Sequence, residues 1–244
     1  MQGYEPETYG ERIAHVYDEL YDNAFDKPAA VSFLVDRAGR GPALELAIGT
    51  GRVALGLVGA GIEVHGIDIS TAMVDRLRAK PGGEQIEVSM GDFASVEVDR
   101  DYPLIYLVFN TLFALTSQDE QIRCLENVAK HLTDDGVFVV ECFVPDLTRF
   151  VRNQNTEVVD VELEQVMLDV SRHDPVSQTV KSQHVFISDE GTKLFPVFLR
   201  YTYPPELDMM ARVAGLALRE RYGDFRMSPF TSDSKGHVSV YGKV

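Results

Sequence analysis

Apolar and polar positions alternate along the chain with periods that predict a regular series of helices and strands. In residues 6–21, apolar and aromatic side chains recur every three or four positions, which predicts a single amphipathic helix. A second helix is predicted to begin with Asp26 as its N-cap and to run toward Gly39. Both helices precede the first apolar strand.

From residue 43 onward, short apolar strands alternate with helical patterns, which is typical of a parallel sheet covered on both faces. The strands are predicted at residues 43–48, 64–68, 86–90, 104–109 and 137–143. Ser70 is positioned to cap one intervening helix. Ser117 and Glu120 form a capping box at the start of another, which we expect to end near Gly136.

After Pro145 the helical spacing disappears until residue 203, and two β-rich runs flank a turn at Asp189, Glu190 and Gly191. A helix at residues 206–216 and strands at 217–222 and 237–241 then resume the earlier pattern. We therefore predict an α/β chain with a β insertion. It divides into a helical cover at 1–42, a main domain at 43–145 and 204–244, and an antiparallel β lid at 146–203.

Composition narrows the classes of function. The 244 residues include 38 acidic and 23 basic side chains, for a formal charge of -15, which disfavours nucleic acid as a partner. A solvated acidic surface explains this charge, and attraction of a cationic substrate remains open. No apolar run is long enough for a membrane span, and Cys124 and Cys142 are interpreted as buried thiols. A cytoplasmic protein is expected.

Residues 44–52 carry the first chemical signal, because an apolar strand there leads through two glycines into a helix predicted at 53–60. Gly49 and Gly51 allow close backbone approach to a nucleotide-like ligand, and the N–H groups of the new helix offer a polar cradle. Glu45 is a carboxylate inside the strand, and burying it is costly unless a cationic or hydrogen-bonding group meets it. We infer a ligand with a positive group. Residues 49–54 also satisfy the dinucleotide pattern G-x-G-x-x-G/A, which leaves a nicotinamide cofactor open here.

Two further acidic positions follow predicted strands. Asp68 lies at the end of the second strand, and Asp92 with Phe93 follows the third. Two carboxylate oxygens suit a ribose diol, an aspartate can accept a hydrogen bond from an exocyclic amine, and an apolar side chain can stack on a purine. With Glu45 and the glycine turn, this combination resembles the class I S-adenosylmethionine-dependent methyltransferases from residue 44 to about 145.

The resemblance implies a Rossmann-like sheet that is mostly parallel, with the last strand antiparallel, and S-adenosyl-L-methionine as cofactor. It assigns the methionine end to the glycine turn, the ribose to Asp68, and the adenine to Met73, Asp92 and Phe93. The full set of residues that we expect to bind the cofactor is Tyr17, Glu45, Ala47, Gly49, Gly51, Arg52, Asp68, Ile69, Met73, Asp92, Phe93 and Phe109.

Within that family the chain is similar to small-molecule N-methyltransferases of actinobacterial antibiotic pathways, of the lincosamide or amino-sugar type. The supporting stretches are the Tyr9 and Tyr17 pattern, residues 108–113 and residues 228–232. Amino-sugar enzymes of this kind carry a histidine after the fourth strand, where this chain has Phe113 and Ala114. The expected substrate is thus a small-molecule amine, and a homo-oligomer is left open.

Tyr9 and Tyr17 lie eight positions apart, on one face of the predicted first helix, so we expect them to cover the cofactor and act in catalysis. Simple helix packing is the alternative. Substrate contacts are predicted after the fourth strand, where ligands of parallel sheets bind, and in the lid. The predicted substrate residues are Tyr9, Asn110, Phe113, Arg200 and Tyr201, with Tyr203 and Arg226 as further pocket walls.

The acceptor chemistry has alternatives. The six histidines have no metal-ligand spacing, so no metal is expected. His65, His131 and His237 are interpreted as structural, and His15, His173 and His184 stay open as bases. An amine needs no strong base, whereas a hydroxyl does, so N-methylation is favoured over O- or C-methylation by the same fold. An NAD-type oxidoreductase and a cofactor-binding protein without turnover are the remote alternatives.

Overall fold

The structure is a computed structural model that describes residues 1–21 and 25–244. Within these residues the helices are α1 (Thr8–Ile13), α2 (Tyr17–Tyr21), α3 (Lys27–Ala38), α4 (Ala54–Gly59), α5 (Thr71–Arg78), α6 (Gln118–His131) and α7 (Pro204–Val213). The strands are β1 (Ala43–Leu46), β2 (Val64–Asp68), β3 (Glu87–Met90), β4 (Tyr102–Leu107), β5 (Leu132–Phe143), β6 (Gln154–Val161), β7 (Gln165–Asp174), β8 (Thr179–Ser188), β9 (Gly191–Arg200), β10 (Leu216–Tyr222) and β11 (Gly236–Lys243).

Seven strands form the main sheet in the order β10-β11-β5-β4-β1-β2-β3. Strands β1 to β5 run parallel to one another, and β11 is antiparallel to both β5 and β10. This order and these directions match the predicted Rossmann-like sheet, which is mostly parallel with an antiparallel last strand. The carboxyl ends of β1, β2 and β4 meet along one edge.

The central strands β1 and β4 are buried on both faces, which explains why they are almost continuously apolar. Leu44 and Leu46 of β1 pack into one apolar cluster with Ile105 of β4. Ala43 packs into a second cluster, on the other side, with Leu104. The predicted caps are present, since Ser70 accepts a hydrogen bond from the N–H of Met73, and Ser117 and Glu120 cap α6 reciprocally.

Strands β6 to β9 form a separate antiparallel sheet in sequential order, within the β-rich stretch predicted from the sequence. The predicted turn joins β8 to β9, where Gly191 has φ +120°. Cys124 and Cys142 are buried free thiols, as expected. No helix in the described part of the chain is long and apolar enough to cross a membrane.

The prediction of one continuous first helix is wrong. The helix is interrupted between Ile13 and Tyr17, because α1 and α2 are attached to different parts of the main domain. Glu11 of α1 accepts hydrogen bonds from the Ser70 hydroxyl and the Ala72 N–H, at 2.9 and 3.1 Å. Asp18 of α2 instead accepts from Thr50 Oγ1 at 2.6 Å and pairs with Lys80 Nζ at 2.7 Å.

Two strands also end two residues earlier than predicted. β1 ends at Leu46 because Ala47 has φ +53°, and β4 ends at Leu107, before the left-handed residues Phe109 and Asn110. Helix α6 ends at His131 rather than near Gly136, because the chain enters β5 directly. The first two differences lie at the edge of the sheet that carries the predicted site.

Candidate active site

The glycine turn after β1 exposes its backbone to a cavity of about 740 Å³. Ala47, Gly49 and Gly51 all have left-handed φ values, of +53°, +56° and +75°. A Cβ added to Gly49 would meet nothing closer than the Ala47 carbonyl at 4.0 Å, whereas one on Gly51 would lie 2.3 Å from Leu77 Cδ1. Gly49 thus leaves room for a ligand, and Gly51 permits close packing of the turn against α5.

Asp68 places its carboxylate at the same cavity. One oxygen accepts a hydrogen bond from the Gly49 N–H at 2.6 Å, and the other accepts from the Ser70 N–H at 2.8 Å. Burial raises the pKa of Asp68, and these backbone hydrogen bonds oppose that shift. The side chain therefore joins the ends of β1 and β2 and remains an acceptor for hydroxyl groups.

Apolar side chains continue the wall beyond Asp68, and Ile69, Met73 and Phe93 all line the cavity. Asp92 is not part of the lining, and its carboxylate accepts the Ala94 N–H at 2.9 Å within its own turn. The structure brings most of the predicted cofactor residues to one place, with Asp92 adjacent to it. This wall suits the flat face of a purine.

Glu45 lies behind the glycine turn and is only 4% exposed. Its carboxylate accepts a hydrogen bond from the Tyr106 hydroxyl at 2.9 Å. Burial raises the pKa of Glu45 to about 8, against the effect of that hydrogen bond. The protein thus supplies the partner that this buried carboxyl requires, and a positive group on the ligand is not needed to explain it.

The loop after β4 is held by a residue that the sequence reasoning missed, Glu141 of β5. Its carboxylate accepts hydrogen bonds from the N–H groups of Phe109, at 2.6 Å, and Asn110, at 3.3 Å, both left-handed. Burial raises the pKa of Glu141 to about 7. The side-chain oxygen of Asn110 accepts the Phe143 N–H at 2.6 Å. A lone acid in an apolar strand, the signal used for Glu45, could have identified Glu141.

Aromatic side chains from α1, α2 and the β4 loop meet at the cavity. The Tyr9 hydroxyl donates to the Tyr21 hydroxyl at 3.0 Å, and the ring of Tyr17 contacts both Tyr9 and Tyr21 edge-on or tilted. Phe109 packs edge-on against Tyr17 and Tyr21. Arg52 lies with its guanidinium carbon 4.7 Å from the centre of the Phe109 ring and is hydrogen-bonded to the Tyr21 carbonyl. Tyr9 and Tyr17 come together although their helix is interrupted.

The predicted substrate residues are distributed unevenly. Asn110 and Tyr201 line the cavity, as does Tyr9. Phe113 is buried against Phe143 outside the lining. Arg200 also lies outside it, in a network with Gln121, Gln178, Thr202 and Glu206. Tyr203 and Arg226 are not in the lining either, and Arg226 pairs with Asp26 at the surface.

Among the histidines, His184 lines the cavity. His173 contacts the Tyr201 hydroxyl at 2.9 Å, and His15 packs near Phe195 with ring centroids 6.0 Å apart. The three interpreted as structural have protein partners: His65 contacts Tyr102, His131 lies near Glu97, and His237 contacts Ser239. Only one of the open base candidates therefore faces the site.

Three observations indicate what the cavity can hold. It has exposed backbone at Gly49, a carboxylate at Asp68 and an apolar wall, which fit a nucleoside with a polar chain. Its volume of about 740 Å³ leaves space for a second small molecule beside such a ligand. Across residues 1–21 and 25–244, no group of three or more histidine, cysteine or acidic side chains could hold a metal ion.

Comparison with known proteins places the chain in a family. A sequence profile described as a methyltransferase domain matches residues 43–136. The CcbJ methyltransferase from Streptomyces caelestis superposes with a TM-score of 0.94 and 42% identity, covering 99% of this chain and 100% of that one. A curated relative, the cypemycin N-terminal methyltransferase of a Streptomyces species, is 25% identical over 242 residues, which are 97% of this chain and 98% of the relative.

The same fold occurs in CalS10 with S-adenosylmethionine bound, described as an amino pentose methyltransferase from Micromonospora echinaspora involved in calicheamicin biosynthesis. That match has a TM-score of 0.71 and 18% identity, and it covers 94% of this chain and 97% of that one. The sheet order, the glycine turn and the similarity over the whole chain lead to one conclusion. The chain belongs to the class I methyltransferases that use S-adenosyl-L-methionine as cofactor.

Proposed function

We propose that this methyltransferase acts on the nitrogen of a small-molecule amine in antibiotic biosynthesis. The observation that carries the proposal is the aromatic cluster of Tyr9, Tyr17, Tyr21 and Phe109 beside the glycine turn. Aromatic ring faces attract cations, and amines arrive from water largely as ammonium ions. The position of Arg52 over two of these rings is consistent with that preference.

The cofactor would be held by both backbone and side chains of the main domain. Ala47 and Gly49 offer the backbone for its methionine end, and Asp68 offers two oxygens for the ribose diol. Ile69, Met73 and Phe93 form the wall for the adenine. Glu45, Gly51 and Arg52 support the turn and the aromatic cluster from outside the cavity lining.

When bound, S-adenosylmethionine supplies a methyl group that its sulfonium charge already activates. The protein then has to align the acceptor nitrogen and exclude water. We propose that the hydroxyl of Tyr9 and the amide of Asn110 orient the amine, and that Tyr17 covers the reacting atoms. Glu141 acts indirectly, since it holds the backbone of Phe109 and Asn110 in place.

The domain division belongs to the same proposal. Residues 1–42 would cover the cofactor and residues 146–203 would close the substrate side, because side chains from both segments line the cavity together with the main domain. The curated relative named an N-terminal methyltransferase supports nitrogen as the acceptor, since a peptide N-terminus is an amine.

The proposal is tested by locating the transferred methyl group. The protein is incubated with methyl-13C-labelled S-adenosylmethionine and a panel of prolinamide, glucosamine, dialanine and simple phenols, and the products are identified by carbon–proton NMR. We expect N-methyl signals from at least one amine. Transfer to phenol oxygen or to carbon, with inert amines, would contradict N-methylation. A Gly49→Val variant run in parallel controls for methylation without bound cofactor.

A further inference from the structure

The inner face of the four-stranded sheet carries a polar patch that has no role in the function proposed above. Asp169 on β7 pairs in register with His184 on β8, and Ser171 pairs with Ser182. Asp169, Ser182 and His184 line the cavity. The same face otherwise presents apolar side chains to the cavity, Val180, Val197 and Leu199. A carboxylate and an imidazole on this wall are therefore not explained by packing.

The contacts of Asp169 prepare it to stabilise a positive charge on His184. One carboxylate oxygen accepts a hydrogen bond from the Ser171 hydroxyl, and Arg149 Nη2 lies 3.9 Å from that oxygen. The other oxygen is 3.3 Å from His184 Nδ1, which is an ion-pair distance without hydrogen-bond geometry. Within the described residues, Nδ1 of His184 is buried and has no hydrogen-bond partner. The pair can therefore tighten if the imidazole becomes charged.

The hydroxyl pair of Tyr9 and Tyr21 connects this patch to the aromatic cluster. Tyr9 donates its hydrogen to the Tyr21 oxygen at 3.0 Å, so the hydrogen of Tyr21 points elsewhere. Burial raises the pKa of Tyr21, and the negative charge of Asp169 raises it further, against the effects of Tyr9 and Arg52. Tyr21 and Asp169 line the same cavity, so water there can join the Tyr21 hydroxyl to the Asp169 carboxylate.

We propose that Tyr9, Tyr21, Asp169 and His184 form a path that carries a proton from the substrate's ammonium group to the four-stranded sheet. This inference rests on the proposed amine substrate. An ammonium ion cannot attack a methyl group until it loses a proton and regains its lone pair. The neighbouring sulfonium charge and the apolar walls favour that loss.

The steps along the path conserve every proton. The ammonium proton moves to the Tyr9 oxygen while the Tyr9 hydrogen passes to Tyr21, and the Tyr21 hydrogen passes through cavity water to Asp169. Asp169 then transfers this proton to the imidazole. Both tyrosines end as neutral phenols, the amine is neutral, and an imidazolium lies beside a carboxylate. His184 later releases the proton to water.

The charged and titratable groups around His184 come from β7, from the turn after β5 and from residues 15–21. Asp169 lies on the neighbouring strand, and Arg149 approaches Asp169 from the turn after β5. Tyr21 comes from α2, and His15 packs on Phe195, the β9 partner of His184. Burial lowers the pKa of His184, while Asp169 opposes that shift. Burial therefore favours the neutral imidazole, which has one ring nitrogen with a lone pair that can accept a proton.

The first test is the pH dependence of kcat/KM, measured with the panel amine that is N-methylated fastest. We expect His184→Gln and Tyr21→Phe to lower kcat/KM at pH 7 by about 100-fold, the lower end of general-base effects. The loss should shrink as pH rises, because bulk hydroxide then deprotonates the amine before it binds. His65→Gln, a change of a histidine that contacts Tyr102 and Glu63, is the matched control. Wild-type pH profiles in both path variants would overturn the proposal.

The second test needs no substrate. The pKa of His184 is measured by NMR titration of the complex with S-adenosylhomocysteine, and its signal is assigned by its loss in His184→Gln. Removing the Asp169 charge by Asp169→Asn should lower that pKa by about one unit, as for loss of a nearby opposite charge. An unchanged pKa would overturn the Asp169–His184 pair.

The two tests separate this proposal from the function on which it rests. N-methyl products with wild-type pH profiles would contradict the path alone. Methyl groups on oxygen or carbon would contradict the proposed function, whatever His184 does in the titration. The affinity for S-adenosylhomocysteine, measured for every variant, excludes a general loss of structure as the cause of lower activity.

Discussion

The two walls of the cavity recognise ligands in different ways. The carboxyl edge of the main sheet presents turns with left-handed residues, such as Ala47 and Gly49, whose backbone atoms face the cavity. The four-stranded sheet presents side chains from alternate positions of regular strands, such as Asp169 and His184. A turn depends on its own φ values, whereas a side chain on a strand can be replaced without moving the backbone. The first wall suits a fixed cofactor, and the second suits a substrate that can differ between related enzymes.

The largest expected effect concerns Arg200 of the four-stranded sheet. It distinguishes a role in the stability of the protein from a role in binding the substrate. Arg200 donates hydrogen bonds to Glu206 at 2.6 Å and Gln121 at 2.7 Å, in a buried network between β9, α6 and α7. Arg200→Ala leaves these partners unpaired and should lower the free energy of unfolding by about 3–5 kcal/mol. Urea denaturation measures the loss, and the exposed Arg172→Ala serves as a control expected to be nearly neutral. Normal stability with a raised KM would instead place Arg200 at the substrate.

The next prediction concerns the pH dependence of stability that arises from two buried acids of the main sheet, Glu45 and Glu141. The pKa of Glu45 is about 8 and that of Glu141 about 7, both above the unfolded value of 4.5. At pH values between the unfolded and the folded pKa, the folded protein therefore binds more protons than the unfolded chain. Its free energy of unfolding falls as pH rises from about 5 to about 8. Glu45→Gln keeps a side-chain oxygen for the Tyr106 hydroxyl but cannot be ionised. In this variant the decrease in the free energy of unfolding over that pH range should be smaller by on the order of 3 kcal/mol. Urea titrations at several pH values measure it.

The exposed Glu164→Gln, in the turn between β6 and β7, is the control for that experiment. Its dependence of stability on pH should match that of the wild type. A Glu45→Gln variant with the full wild-type slope would show that Glu45 is already ionised in the folded protein at neutral pH.

A third prediction tests the backbone wall directly. Gly49→Val places a branched side chain at φ +56°, in the space that faces the cavity, and should weaken binding of S-adenosylhomocysteine about 100-fold. Gly39→Val is a matched control, because Gly39 also has a left-handed φ, of +60°, and open space around it, but lies at the end of α3. Calorimetry should find normal affinity in that control. Equal losses of affinity in both variants would show that backbone strain, and not a side chain in the cavity, causes the effect.

The smallest expected effect concerns the Tyr17 hydroxyl. Tyr17→Phe keeps the ring but removes one hydrogen-bonding group, so kcat should fall about tenfold, the scale of one hydrogen bond. Tyr9→Phe also interrupts the proposed proton path and should reduce activity at pH 7 as much as Tyr21→Phe, about 100-fold. KM for S-adenosylmethionine should change little. Tyr102→Phe, which removes a hydroxyl bound to His65 far from the cavity, controls for stability. Unchanged kcat in both variants would show that the hydroxyls of Tyr9 and Tyr17 have no role in catalysis and that the two side chains act only in packing.

Most of the fold could be predicted because it depends on the spacing of apolar residues and on the residues that cap helices. The apolar strands, the Ser70 cap and the capping box of Ser117 each rest on local rules that the structure confirms. The interruption of the first helix was not predictable, since its cause is a pair of distant attachments. Glu11 binds the start of α5, and Asp18 binds the glycine turn.

The strand ends at the site were mispredicted for a related reason. Val108 and Phe109 continue the apolar pattern of β4, yet Phe109 and the following Asn110 adopt left-handed φ values, and Glu141 on the neighbouring strand accepts their N–H groups. Such a contact joins residues about thirty positions apart in sequence, which no local pattern reveals. The pairing of Asp169 with His184 was equally hidden, because it depends on strand register.

The tyrosines around the cavity have a practical consequence for spectroscopy. The chain has ten tyrosines and no tryptophan, and five of the tyrosines line the cavity. Its ultraviolet emission therefore comes from phenol rings, half of which border the place where a ligand binds. Occupancy by an adenine-containing molecule should change this emission without any label. The protein carries its own optical reporter for cofactor exchange.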